Sequence, residues 1–360
     1  MAEDESGWLN YHLYYHQDRG SAIDGFVRPL AVALLSADWI DRFFFVRYGL
    51  GGPHIRLRLH PRPGASALVA EAAESQARDF LASRSSTSNL TPQSIRRGNR
   101  QLLASDPHET DDSVYPDNSF LAFPFRPEIE RYGGPGLWRD SVDFFVLSSA
   151  TVLELLRENS AEPRTRHVML AFQVLAGQAL GFARDEEDLI VLLRYAVDLW
   201  GERMPQTIEK ADRVLTEKKM IFDQLFDKDL DLLTKRPDAA VTAAGEARAR
   251  LNEGARRLAW IVRGVDQSVH QRIGTSQLHM TANRLDLNNA EEVFLSQILT
   301  RLASERIESG TSLGILSTAK VSPLRDLLPG VLESLALPNP TWLFPKQGGL
   351  RREGIPRKSR

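Results

Sequence analysis

The sequence predicts an α+β protein, predominantly helical overall, with an N-terminal β-sheet region packed on a larger C-terminal helical bundle. Three observations predict it. Up to about residue 140, short stretches alternate polar and apolar residues between turn clusters. Beyond that point apolar residues recur at helical spacing in one segment after another. The composition itself changes at Gly133-Gly134-Pro135-Gly136.

The elements follow in order. Trp8 to Tyr15 (WLNYHLYY) alternates as a strand, and Phe26, Val27, Leu30, Leu34 and Leu35 give Asp24 to Leu35 a helical spacing. Phe43 to Tyr48 is aromatic and β-branched, Gly49 to Pro53 is a turn cluster, and His54 to His60 alternates strictly, the pattern of a β-hairpin. An alanine-rich helix is expected from Gly64 to Ala82. Residues 83–118 are rich in Ser, Thr, Asn, Asp and Pro without periodicity and too long for an ordinary connector, so a functional loop, a lid or partial disorder is expected. Helices are expected near 138–158, 164–183, 186–200, 205–233, 238–269, 289–308 and 323–335, punctuated by Pro163, Pro237, Gly274 and Pro323. Asp185-Glu186-Glu187-Asp188 places acid where a helix start favours it. The reading divides the chain into a mixed region 1–140, a helical region 141–345 and a basic tail 346–360 expected to be disordered. The first two are expected to act as one catalytic unit.

Composition removes several function classes. The 360 residues are 42% hydrophobic and 26% charged with a formal charge of −2, so a sizeable core is available and no global field draws the protein to nucleic acid. With no cysteine there is no disulfide framework, thiol nucleophile, thiolate metal site or iron–sulfur ligation. The acidic, polar start lacks the features of a secretion signal. The longest apolar window, Val168 to Ala183, contains Gln173 and Gln178 and falls short of the roughly 20 residues a bilayer span requires, so a buried helix, no membrane and a cytoplasmic location are expected. There is no GxGxxG, P-loop or GxSxG.

Three stretches could carry chemistry. The strand His54-Ile55-Arg56-Leu57-Arg58-Leu59-His60 puts Arg56 and Arg58 on one face, about 6–7 Å apart. Taken alone such a face is a solvated one, but two neighbouring guanidiniums also suit an anion held between them. In PEIERYGGPG, Glu128 stands three residues before Arg131 and just ahead of a glycine turn, an arrangement that alone reads equally well as a local ion pair. In LHMTANRL, His279 and Asn283 are four apart, on one helical face, and an imidazole is the usual proton carrier near neutrality. In isolation a histidine beside apolar residues is more often structural. His12 and His16 lack the further ligands that a metal site needs.

The hairpin RFFFVRYGLGGPHIRLRL, the later PEIERYGG and the distal LHMTANRL, in that order, together with WLNYHLYY and FVRPL near the start, resemble the C-terminal domain of class I lantibiotic dehydratases, also met as free-standing thiopeptide biosynthesis proteins. The likeness spans residues 8 to about 310. It implies a lyase: a separate domain uses glutamyl-tRNA to esterify Ser or Thr of a precursor peptide, and this domain eliminates the glutamate to leave dehydroalanine or dehydrobutyrine. Carried over residue by residue, the resemblance assigns Arg56, Arg58 and Arg131 to glutamate-ester and leaving-group binding. His279 then takes proton transfer, and Glu128 orients an arginine or shares the proton work. No metal or organic cofactor is implied. The expected partners are the precursor peptide, leader and core, and a separate glutamyl-tRNA-dependent glutamylating protein, with no direct tRNA binding here. Two alternatives remain on the same fold: a pyridine synthase-type [4+2] cycloaddition enzyme, and a non-catalytic scaffold for a leader peptide or partner.

Overall fold

A computed structural model describes residues 7–103, 113–158, 163–234, 243–311 and 322–335, with 313 and 315. Four strands, β1 (Leu9–Tyr14), β2 (Ile40–Tyr48), β3 (His54–Pro61) and β4 (Ser119–Ala122), form one antiparallel sheet in the order β2-β3-β1-β4. The expected hairpin is β2 and β3. Its turn requires glycine: Gly51 and Gly52 have φ of 84° and 120°, and a Cβ on Gly52 would lie 2.4 Å from His16 Nε2.

Register gives the sheet two unlike faces. Leu57 lies between Tyr11 and Phe45, and Leu59 between Leu9 and Phe43. This apolar face packs on α1 (Arg19–Ala22), the π-helical turn Ile23–Val27, α2 (Arg28–Ser36) and α3 (Ser66–Ser83). On the other face Arg58 lies between Asn10 and Phe44, Arg56 between His12 and Val46, and His54 between Tyr14 and Tyr48.

The stretch 83–118 differs from its expectation as a loop, because Pro92–Leu103 forms a helix, α4. Ile95 and Asn99 are its buried side, and Asn99 ties it to the hairpin turn by accepting the Gly51 N–H at 2.9 Å and donating to the Ser113 carbonyl. Four-residue spacing of one apolar and one amide side chain is too sparse to read as a helical stripe. Residues 104–112 of that stretch, and the whole tail 346–360, lie outside the described residues.

The remainder is helical, as expected: α5 (Pro135–Glu158), α6 (Arg164–Phe182), α7 (Glu186–Trp200), α8 (Pro205–Thr234), α9 (Ala243–Ile261), α10 (Gln267–Arg284), α11 (Asn289–Glu308) and α12 (Leu328–Leu335). Two details correct the sequence reading. The helix expected over 238–269 stops at Ile261, and Asp266 caps a new one by accepting the Ser268 N–H at 2.8 Å. Gly274 does not interrupt the chain but sits inside α10, where a Cβ would meet Leu192 at 2.5 Å and Phe182 at 2.6 Å. Its bareness lets α10 approach α6 and α7.

Sheet and bundle are joined along the outer edge of β2. Asn283 accepts the Arg47 N–H and donates to the Arg47 carbonyl, both at 2.8 Å. Arg284 Nε donates to the Phe45 carbonyl at 2.9 Å, and the Phe45 N–H donates to Ser149 Oγ of α5 at 3.3 Å. Side chains thus stand where a fifth strand would. Among the described residues no helix is long and apolar enough to cross a membrane.

Candidate functional site

The face of β3 that carries the arginines is partly covered, more than the simplest reading of its alternation implies, with His54 and Arg58 buried and Arg56 and His60 half-buried. Segment 113–125 and the start of α5 cover it, leaving His54 fully buried and Arg58 9% exposed. Aromatic residues make the cover: Phe44 packs on Phe145 of α5 and on Phe125, and Tyr132 meets Phe145 edge-on at 4.9 Å.

Each arginine has a specific setting. Arg56 lies over the Tyr48 ring at 3.7 Å, and its Nε donates to His54 Nε2 at 3.3 Å. His54 can accept there because its Nδ1–H donates to the Gly52 carbonyl at 2.8 Å, and burial beside Arg56 pushes the ring's pKa down to about 3, so it stays neutral. Arg58 is held between Phe44 and Phe125, 5.1 Å from each ring. Desolvation, then the charges of Arg56 and Arg284, lower its pKa to about 9, against the opposing charge of Glu128. Its Nε is buried without a hydrogen-bond partner among the described residues.

PEIERYGG supplies the second part. Ile129–Tyr132 is one 3-10 turn that ends on Gly133 and Gly134, with φ of 88° and 83°. The Gly134 N–H returns to the Ile129 carbonyl, and Pro135 opens α5. This turn presents three side chains. Glu128 accepts from Arg131 at 3.0 Å, Arg131 Nε donates to Ser276 Oγ of α10 at 3.1 Å, and Tyr132 is 4% exposed with its phenol pushed up to about 12 by burial.

Helix α10 supplies the third part. Ser276, which anchors Arg131, is three residues before His279, so the two are neighbours on the helix surface. His279 Nδ1 donates to Glu292 of α11 at 3.0 Å, and its ring packs edge-on to Trp200 at 5.3 Å. Glu292, 2% exposed, also accepts from Tyr195 OH at 2.8 Å. A carboxylate on Nδ1 fixes the tautomer and leaves Nε2 to exchange a proton.

The five residues singled out from sequence therefore occupy one connected region. Arg56 and Arg58 share the sheet face, Glu128 acts on Arg58 and pairs with Arg131, and Arg131 is tied to the turn of α10 that precedes His279. His279 itself is oriented by α7 and α11. The geometry adds three residues that the sequence reading passed over: Tyr132, Arg284 and Glu292. Tyr132 and Arg284 lie inside the quoted motifs. Glu292 follows an Asn288–Glu291 capping box whose sequence, NNAEE, announces a helix start but not a histidine partner. Among the described residues no group of three or more His, Asp or Glu side chains could hold a metal ion.

Residues 8–303 match the family described as lantibiotic biosynthesis dehydratase C-terminal. No curated protein matches. Among solved structures, the pyridine synthase TbtD from thiomuracin biosynthesis is similar at a TM-score of 0.69 and 18% identity, over 83% of this chain and 98% of that one. The tRNA-dependent lantibiotic dehydratase MibB from Microbispora sp. 107891 is similar at 0.56 and 20% identity, over 87% of this chain but 29% of its own. TsrL is similar at 0.51 and 14% identity, over 90% of this chain and 98% of that one.

Proposed function

The chain belongs to the lantibiotic biosynthesis dehydratase C-terminal family, and we propose that it is the glutamate-eliminating lyase of a split, tRNA-dependent peptide dehydratase. Its substrate on this reading is a ribosomally made precursor peptide whose Ser or Thr carries a glutamyl ester, installed in the cytoplasm by a separate glutamylating protein. The observation that carries the reading is the convergence of Arg56 and Arg58 of β3 with Arg131, which is anchored to the turn of α10 that precedes His279. Among the described residues Glu128 pairs with Arg131 and acts on Arg58, and its side chain is 41% exposed.

The reaction asks for what these groups can do. A base takes the Cα proton of the esterified residue, the released pair forms the Cα=Cβ bond, and the Cβ–O bond breaks with glutamate leaving as a carboxylate. Guanidiniums fixed before the reaction stabilise the charge that develops on that leaving group, and their planar fork fits it better than an ammonium would. His279, held through Nδ1 by Glu292, is assigned the proton transfer. Glu128 holds Arg131 in place and is the second group able to share the proton. Because residues 1–140 bring the arginines and 141–345 the histidine, both regions form one catalytic unit.

A second reading is a cycloaddition of the pyridine-synthase kind, and the likeness extending over 98% of TbtD favours it. That reaction leaves no free carboxylate to be held, so it gives the arginine cluster no task. One experiment separates the two. Purified protein is incubated with a peptide bearing a glutamylated serine and, separately, with a bis-dehydroalanine peptide, and mass is followed. Loss of glutamic acid from the first, abolished by His279→Ala, supports elimination. An unchanged ester with cyclisation of the second peptide replaces it.

A further inference from the structure

We propose that Arg284, at the end of α10, is a fourth anion-binding arginine of this site and, paired with Arg58, holds a carboxylate of the departing glutamate. The inference rests on the elimination reading and extends it to a residue that the motif comparison does not assign.

The side chain does more than its structural task requires. Arg284 is fully buried, and its Nε bond to the Phe45 carbonyl, beside the two Asn283 bonds to Arg47, fastens α10 to the edge of β2. Both terminal nitrogens, Nη1 and Nη2, are buried with no hydrogen-bond partner among the described residues. A guanidinium has five N–H bonds, and a buried charge left without partners is destabilising, so a staple alone would be served better by a neutral amide. The four idle N–H bonds are the part of the residue that needs an explanation.

Its neighbours supply one. Arg284 sits over the Phe145 ring at 5.4 Å, Phe145 packs on Phe44 at 5.3 Å, and Arg58 lies over Phe44 at 5.1 Å. The two guanidiniums thus share one aromatic wall, each with unpartnered nitrogen, and the charge of Arg284 is felt at Arg58. Tyr132 interacts electrostatically with both and remains a neutral phenol. Among the described residues the carboxylate that acts on Arg58 is Glu128, which is paired with Arg131. Two cations in a water-poor, aromatic setting are stable together when an anion lies between them, and a planar carboxylate matches two guanidinium forks.

The test measures binding of free L-glutamate, the reaction product, by thermal stabilisation of the full chain against sodium chloride at equal ionic strength. Wild type, Arg284→Met and Arg284→Lys are compared. The lysine variant keeps a cation that can reach the Phe45 carbonyl but lacks the fork, so it decides the matter if the methionine variant does not fold. Expected is a glutamate-specific stabilisation of wild type, with apparent affinity reduced at least about tenfold in each folded variant. A role confined to fastening α10 would move the melting temperature without glutamate and leave the glutamate-dependent increment intact, which would overturn the proposal. So would a wild type that responds to glutamate no more than to chloride. The reading of the reaction fails separately, if wild type binds glutamate but never releases it from a glutamylated peptide.

Discussion

Replacing Gly133 by alanine should show how firmly one turn holds the site. The backbone at Gly133 has φ of 88°, where an L side chain is strained by roughly 1–2 kcal/mol. The new Cβ would lie 2.7 Å from Leu137 Cδ1, 3.0 Å from Ile273 Cδ1 and 3.3 Å from Leu137 Cβ. Ile273 is fully buried in α10 and has little room to retreat, whereas Leu137, in the opening turn of α5, is half-buried and can yield in part. Overpacking of this kind costs about 1–3 kcal/mol, so the sum is about 2–5 kcal/mol, part of which the chain can relieve by shifting the turn that bears Glu128, Arg131 and Tyr132. A shift of about 1 Å in such groups lowers a rate about a hundredfold. Urea denaturation and the rate of glutamate elimination, measured on the same preparation, test both halves. A variant within about 0.5 kcal/mol of wild type and equally active would mean that the turn neither resists the methyl group nor aims the site.

Three further outcomes are expected. Arg58→Met removes a buried, incompletely bonded cation, so folding stability should stay within about 1 kcal/mol of wild type or rise while elimination falls by a hundredfold or so; a large loss of stability would make Arg58 a scaffold. Glu292→Gln should lower kcat by roughly 10–100-fold with KM little changed, and Glu292→Asp should restore part of it; equal losses in both would point to packing of α11. Asp143 is 4% exposed, and burial raises its pKa to about 6 despite Arg42 at 3.9 Å. The folded state therefore holds a proton that the unfolded chain has released between about pH 4 and 6, and stability falls as pH rises through that window, by about 3 kcal/mol at most. In Asp143→Asn this component is absent, so its melting temperature relative to wild type should climb from pH 4 to 6.5; a constant difference would contradict the assignment.

Much of the fold was legible because local pattern and tertiary environment agreed. The hairpin could be read from a strictly alternating strand beside a glycine turn, and α7 from the acids that cap it. Where they disagreed, tertiary structure decided. Alternation in β3 implies a wet face, yet aromatic residues more than sixty positions downstream return to cover part of it, and nothing within the strand encodes that return. Gly274 looks like punctuation until the neighbouring helices are present to press against it. At the site, individual letters were visible, and the resemblance supplied a reason to join them. Arg284 went unnoticed because its meaning lies in what its terminal nitrogens lack, and Glu292 because its histidine is on another helix.

The fastening of α10 to β2 has a further consequence for the life of the molecule in the cell. The same two consecutive residues, Asn283 and Arg284, that close the sheet's flank also fix the helix bearing the histidine. A molecule in which this helix is unseated would expose the main-chain groups of Phe45 and Arg47 on a strand rich in phenylalanine, a template for association with its own kind. Misassembled copies would then be removed into aggregates instead of lingering as inert competitors for the peptide. The population that stays dispersed would thereby be enriched in copies whose α10 is seated against β2.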